Sequence, residues 1–220
     1  MSTALFAQED GFAYKPTETW PYEFSSFTNG TILLKGNTDG LTKEMNICLA
    51  DGNVHYVENG EILAADLSTV LYVEIAGRTF LHAADGMMEI LAQNANGYVL
   101  NSKTLDLSPT DGVDIGYGIV TSTVAAKNVD LTMSSALGTA MIHAKVVEKL
   151  NEKDSGAPLK LMERLILKIG NQLIPATKKD VQDVTSKEAL SAFLKSNKIK
   201  WNNSQSLLQV VDFVSATVPR

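Results

Sequence analysis

The stretch VLYVEIAGRTFLHAADG, residues 70–86, decides the fold. Two short apolar runs flank Ala76-Gly77, and Asp85-Gly86 follows the second run. Glycine, Asn and Asp tolerate the positive φ that tight turns require. The first run alternates between two faces, one carrying Leu71, Val73 and Ile75 and the other Tyr72 and Glu74. This period of two predicts a β-hairpin.

The same punctuation recurs along the first half of the chain. Turn dipeptides lie 8 to 17 residues apart, at Asn29-Gly30, Asp39-Gly40, Asp51-Gly52, Asn59-Gly60, Ala76-Gly77, Asp85-Gly86 and Asn96-Gly97. Between them the run Met45, Ile47 and Leu49 alternates with Asn46 and Cys48. Regular turns between alternating runs are typical of an antiparallel meander with one buried and one solvated face.

From residue 165 onward, the sequence predicts one more hairpin and then a change from strand to helical periodicity. Residues 165–169 and 172–176 flank Gly170-Asn171, which predicts a further hairpin. Two capping patterns follow, Thr177 with Asp180 and Thr185 with Glu188, and each predicts the start of a helix. The apolar stripes of the second and third helices are Leu190, Phe193 and Leu194, then Leu207, Leu208, Val211 and Val214.

These patterns predict an α+β fold, mostly an antiparallel β meander that is barrel- or sandwich-like, with a small C-terminal helical cap. We expect residues 1–28 to be a signal remnant and an extended aromatic segment. Residues 29–176 form the β-rich domain, with a long loop near 108–138, and residues 177–220 form the cap packed on it. Residues 141–150 suit either a helix or a strand, and the alternation after them favours a strand.

Charge is distributed unevenly along the 220 residues. The net charge is −6, but residues 1–144 carry 6 basic and 17 acidic groups, whereas residues 145–200 carry 12 basic and 7 acidic groups. This predicts that the two parts attract each other; the alternative is that the basic part faces an anionic partner. The pI near 5.1 argues against a nucleic-acid partner, and no stretch is apolar enough to predict a membrane span.

The sequence motivates no catalytic residue, metal site or cofactor. Cys48 is the single cysteine, which excludes an internal disulfide, and we expect it to be a small side chain on a strand. His55, His82 and His143 lack the spacing of a metal motif. Neither a nucleotide-binding glycine pattern nor a Gly-x-Ser-x-Gly elbow is present.

A cluster of aromatic residues precedes the first strand and supplies the candidate binding site. Trp20, Tyr22 and Phe24 would form a platform for a peptide or a sugar if they were exposed, whereas burial would make them core. We therefore expect a non-catalytic binding or structural protein whose partner is an envelope protein or a glycan.

Two other functions remain open. A hydrolase acting on an envelope polymer would draw its acid and base from carboxylates such as Glu74, Asp85 or Glu89. A lipid or small-molecule carrier would need a hollow β interior.

The first ten residues bear on location. Ala7 before Gln8 is typical of the end of a secretory signal, although the positive and most of the apolar region of such a signal are missing. We expect an exported protein, periplasmic or associated with the outer envelope; with a complete N-terminus the protein would be cytoplasmic.

The chain resembles a group of uncharacterised β-rich exported proteins common in Bacteroidota. The resemblance is carried by residues 29–32, 45–49, 77–80, 89–92, 117–118, 176–181, 197–201 and 207–213. It implies a cell-envelope location. It implies no activity and no functional residue.

Overall fold

The computed structural model describes residues 20–84, 86–106, 146, 149–150 and 159–217. In this part of the chain, ten strands form one antiparallel sheet, and three helices follow it. The strands are β1 (Thr28–Leu34), β2 (Leu41–Ile47), β3 (Val54–Glu58), β4 (Glu61–Ala64), β5 (Val70–Ile75), β6 (Arg78–Ala83), β7 (Gly86–Asn94), β8 (Gly97–Leu105), β9 (Leu161–Ile169) and β10 (Gln172–Pro175). The helices are α1 (Lys178–Val184), α2 (Lys187–Ser196) and α3 (Ser204–Thr217).

The sheet order is β10-β9-β8-β7-β6-β5-β1-β2-β3-β4, so two meanders are joined where β5 pairs with β1. Three strands separate β4 from β5, although only residues 65–69 connect them. In a flat sheet that gap would be about 19 Å, nearly the full reach of an extended connection of this length. The connection instead contains a turn, in which Thr69 N–H donates to the Asp66 carbonyl. The sheet must therefore curl, and it forms a half-barrel.

The predicted antiparallel, β-rich architecture with C-terminal helices is confirmed. The described strands form one curled sheet, and no second sheet faces it in this part of the chain. Two hairpin turns are confirmed in detail, because both central residues have positive φ: Asn59 (53°) with Gly60 (80°), and Ala76 (50°) with Gly77 (75°).

The turn predicted at Asn29-Gly30 is wrong, because both residues lie within β1. Gly30 pairs with Ile75 of β5 and is buried. A Cβ at this position would lie 2.6 Å from the Glu74 carbonyl oxygen. Glycine is required here by a close approach of two strands, and not by a turn.

The alternation predicted for two strands is modified by their neighbours. Asn46 and Cys48, expected on a solvated face, are buried because residues 20–27 cover that face of β2. Leu71 is expected in the core but is exposed. The register with β1 shifts at this point, so that Leu33 pairs with Tyr72 and Leu34 with Val70. Because of this bulge, Val70 and not Leu71 points into the core.

The helices pack on one side of the sheet. Leu207, Val211 and Val214 of α3 are buried against Val99 and Leu167 of β8 and β9. Thr177 caps α1 as predicted, since its side chain accepts from Asp180 N–H. The second predicted cap was wrong by one residue. Ser186, and not Thr185, accepts from Ala189 N–H, because Thr185 is the residue at which α1 ends.

Three predictions fall wholly or partly outside the described residues. The loop near 108–138 and the signal-like residues 1–10 lie there. Within 141–150, Val146, Lys149 and Leu150 are described and are helical, so the preference for a strand was wrong at these positions. Val146 packs against Trp20 and Cys48, which gives this helical segment a buried face. Among the described helices, none has the length and hydropathy that a bilayer crossing requires.

Candidate functional site

The three aromatic residues of the predicted platform occupy two different clusters. Trp20 is buried against Cys48 and Val146. Phe24 packs on the core of the curled sheet, edge to face with Phe80 at 6.0 Å between centroids. Tyr22 is half-buried. The three rings therefore do not form one exposed surface, and their role in binding stays a prediction.

A network of charges lies beside this aromatic segment. Arg78 binds Glu89 through two hydrogen bonds, of 2.7 and 2.6 Å, and its Nη2 lies 2.7 Å from Glu23 Oε1. Lys103 Nζ lies 3.0 Å from the other oxygen of Glu23. The hydrogen bonds that Arg78 donates to Glu89 raise the pKa of Arg78, against the opposing effect of burial. The guanidinium also lies over the rings of Phe24 and Phe80, at 5.1 and 5.2 Å from their centroids.

This network resembles the carboxylate pair of the hydrolase alternative, but its arrangement does not favour hydrolysis. Glu89 and Glu23 are both bound to Arg78, while Glu74 is exposed on β5 and Asp85 lies outside the described residues. A glycosidic bond would have to lie between the two carboxyl groups. Arg78 occupies that position and binds both. The cavity at this point is about 10 Å³, the space of a single water.

The carrier alternative requires empty space inside the curled sheet. Instead, Ile32, Tyr56 and Val73 meet in one cluster and are fully buried. In the described part of the sheet the inner face is therefore filled by side chains, as in small closed barrels.

A larger concave surface, the lysine groove, lies between α1 and α2. Its volume is about 300 Å³. Its lining residues are Lys178, Gln182, Lys187, Leu190, Ser191, Leu194 and Lys195. Lys178 and Gln182 are four residues apart on α1, and Lys187, Ser191 and Lys195 follow the same spacing on α2. This spacing places each set on one helix face.

The charged residues that line the lysine groove are all basic. Its three lysines are exposed, and none is ion-paired with a described residue. No carboxylate is among the lining residues. Leu190 is buried beneath them and Leu194 is half-buried, so the floor is apolar and the rim is positively charged.

The helices that form the groove are fixed to the sheet. Phe193 of α2 stacks on Phe213 of α3, with 4.4 Å between centroids. Asp212 of α3 accepts hydrogen bonds of 2.8 Å from the side chains of Asn94 and Asn96, at the β7–β8 turn. The helix α2, which lines the groove, is therefore held on the sheet through α3.

A third group of polar side chains, Cys48, Asp51 and His55, lies at the end of the β2–β3 hairpin and is called the third cluster below. The register pairs Asn46 with His55, and Cys48 follows Asn46 by two residues, so Cys48 and His55 share a face. Asp51 lies in the turn between them, with its Oδ2 3.5 Å from His55 Nε2. Sequence spacing missed this cluster because a Cys-x-x-Asp-x-x-x-His pattern becomes a constellation only when the hairpin closes.

Burial dominates the electrostatics of this third cluster. It raises the pKa of the Cys48 thiol well above its usual value, and the nearby charge of Asp51 raises it further. The pKa of Tyr22 is also raised, first by burial and then by Cys48 and Asp51. Both groups therefore hold their protons at neutral pH.

No protein family model, no curated protein and no solved structure matches the chain.

Proposed function

We propose that this chain is a non-catalytic binding protein of the cell envelope, and that it recognises an acidic segment of another envelope protein through the lysine groove. The observation that carries the proposal is the lining of the groove, in which three lysines face a cleft without a carboxylate. Carboxylates of a partner would supply the missing counter-charges.

The shape of the groove favours a peptide segment as the occupant. Its volume of about 300 Å³ is at the lower end for a ligand site, which suits a few side chains and not a large cofactor. Half-buried Leu194 offers apolar contact to the stem of a Glu side chain, while lysines bind its carboxylate. A neutral glycan would leave the lysines without a charged partner.

The non-catalytic part of the proposal is supported by the state of the charged groups. Arg78 binds both Glu23 and Glu89, and the cavity beside them is too small for a polymer substrate. The cysteine is a buried thiol with a raised pKa, which makes it a poor nucleophile.

The envelope location is supported by the sequence alone, through the Ala7-Gln8 junction and the resemblance to exported Bacteroidota proteins. Mass spectrometry of the native product tests it. A mature N-terminus at Gln8 would support export. A cytoplasmic protein that retains Met1 would contradict it.

Binding can be tested by fluorescence anisotropy with a fluorescein-labelled hexaglutamate peptide and the full chain. We expect saturable binding that weakens as salt rises, and little binding of a hexaglutamine peptide. The triple variant Lys178→Gln, Lys187→Gln, Lys195→Gln should weaken hexaglutamate binding at least about tenfold, since several charge contacts are lost together.

The matched control is the triple variant Lys35→Gln, Lys160→Gln, Lys168→Gln, which removes the same charge outside the groove. It should change the affinity less than about twofold. Equal losses in both variants would reduce the binding to general attraction and overturn the proposal. Preference for an acidic polysaccharide over the peptide would overturn the assigned class of partner.

A further inference from the structure

The third cluster places three metal-ligating side chains within eight residues of sequence. Cys48 Sγ, a carboxylate oxygen of Asp51 and a ring nitrogen of His55 all lie within 4.8 Å of one another. Cys48 and His55 are fully buried, and the Asp51 side chain is 18% exposed. Thiolate, imidazole and carboxylate together are a donor set that zinc takes.

The separations suit a single small cation. Two nitrogen or oxygen ligands at about 2.0–2.1 Å from a tetrahedral zinc ion lie about 3.3 Å apart. The separation between His55 Nε2 and Asp51 Oδ2 is 3.5 Å. Shifts of a few tenths of an ångström would bring these two residues to that separation. The Cys48 sulfur lies within 4.8 Å of both atoms and would have to approach them by up to about 1.2 Å, since a tetrahedral zinc ion sets sulfur and nitrogen about 3.6 Å apart.

Neighbouring groups orient two of the three side chains and fix the backbone of the third. Tyr22 Oη lies 2.9 Å from His55 Nδ1, so Nδ1–H can donate to it and leave the Nε2 lone pair directed towards Asp51. Asn53 N–H donates to Asp51 Oδ1 at 2.9 Å, which leaves Oδ2 towards His55. The backbone of Cys48 is fixed within the hairpin, because its N–H donates to the Asn53 carbonyl at 2.8 Å and its carbonyl accepts from Gly52 N–H at 2.9 Å.

We propose that Cys48, Asp51 and His55 bind one Zn²⁺ ion, with water as the fourth ligand on the side where Asp51 reaches solvent. A Zn–S bond forms as the Cys48 S–H proton leaves to solvent, and no atom changes its oxidation state. The ion supplies the positive charge that a buried thiolate requires. This site is independent of the lysine groove, and either can fail without the other.

Cobalt is the direct probe of the site. Addition of Co²⁺ to the full chain, freed of metal with a chelator, should give a thiolate-to-cobalt charge-transfer band that saturates at one ion per chain, and Zn²⁺ should abolish it. Calorimetry of Zn²⁺ binding in buffers of different ionisation enthalpy should show release of about one proton per ion at neutral pH. Binding without the thiolate band, or without proton release, would remove Cys48 from the site and overturn the proposal.

Variants identify the ligands. Asp51→Asn keeps the acceptor for Asn53 N–H and the size of the side chain, so we expect a folded chain with at least about tenfold weaker Zn²⁺ binding. Cys48→Ser should abolish the charge-transfer band. His55→Gln should weaken binding, whereas His82→Gln, on β6, is the control and should leave the affinity unchanged.

Circular dichroism establishes that each variant is folded before metal is added. Tyr22→Phe, which removes only the hydroxyl that positions His55, should weaken binding by about 10- to 100-fold if the imidazole is a ligand. Unchanged affinity in both Asp51→Asn and Tyr22→Phe would show that the ion binds elsewhere.

Discussion

The side chain of Asn46 hydrogen-bonds both backbone polar groups of Phe24. Its Oδ1 accepts from Phe24 N–H at 3.0 Å, and its Nδ2 donates to the Phe24 carbonyl at 2.8 Å. The same amide also donates to the Ser26 carbonyl at 3.2 Å and accepts from Ile47 N–H at 2.9 Å. A fully buried Asn thus acts as a short strand partner that fixes residues 20–27 to β2.

We expect Asn46→Ala to lower the free energy of unfolding by about 2–4 kcal/mol, because several buried hydrogen bonds are lost together. Urea denaturation followed by circular dichroism measures the change. Asn202→Ala, at an exposed position before α3, is the control and should change stability by less than about 0.5 kcal/mol. An unchanged midpoint for Asn46→Ala would contradict the assigned role.

Arg78 should contribute far more to stability than Lys43, although each has an acidic partner at 2.6 Å. The Arg78 side chain is itself 34% exposed, but its carboxylate partners Glu23 and Glu89 are only 5% and 16% exposed, whereas Glu58, the partner of Lys43, is 37% exposed. Arg78→Met leaves two carboxylates without their shared partner and should cost about 2–4 kcal/mol. Lys43→Met should cost less than about 1 kcal/mol. Similar losses in the two variants would contradict a difference due to burial.

Two glycines should respond differently to alanine. In Gly30→Ala the new Cβ meets the Glu74 carbonyl oxygen and Ile75, so we expect a loss of about 3 kcal/mol or more. Gly170 has a φ of 57° and open space around it, so Gly170→Ala should cost about 1–2 kcal/mol from backbone strain alone. Urea midpoints compare the two, and a larger loss at Gly170 would contradict the close approach of β1 and β5.

Stability should fall at alkaline pH through Cys48. Burial raises the pKa of this thiol in the folded chain, while the unfolded chain loses the proton near pH 8.5. Above that pH the folded state binds more protons than the unfolded state, so the free energy of unfolding decreases as pH rises, by up to about 1.4 kcal/mol per pH unit. Urea denaturation between pH 7.5 and 9.5, with a chelator present, should show this decrease. It should be absent in Cys48→Ala, and an equal slope in that variant would assign the effect to another group.

Local features of the fold could be predicted from the sequence, and non-local ones could not. The turns at Asn59-Gly60 and Ala76-Gly77 and the cap at Thr177 depend on a few adjacent residues, and these predictions are confirmed. The sequence predicts a turn at Gly30 because nothing nearby in sequence shows that β5 lies against it. The burial of Asn46 and Cys48 likewise depends on residues 20–27, which are distant in sequence.

The same distinction between local and non-local features applies to the candidate sites. The basic character of the C-terminal part was evident from composition, but the lysine groove required the angle between α1 and α2. Cys48 and His55 cannot be grouped from the sequence, since only the register of β2 and β3 places them on one face. The sequence predicts Trp20, Tyr22 and Phe24 as one platform, but their distribution between two clusters depends on contacts that periodicity does not encode.

The pairing of β1 with β5 has a consequence for the order of folding. Gly30 and Ile75 are partners although 45 positions separate them, whereas every other adjacent pair of described strands except β8 and β9 is joined by a short turn. Hairpins close within microseconds. Closing a long loop is slower, because chain entropy is lost before the contacts that offset this loss can form. We therefore expect β1–β4 and β5–β8 to form as separate kinetic units, whose docking along the β1–β5 seam is the slow step that creates the half-barrel.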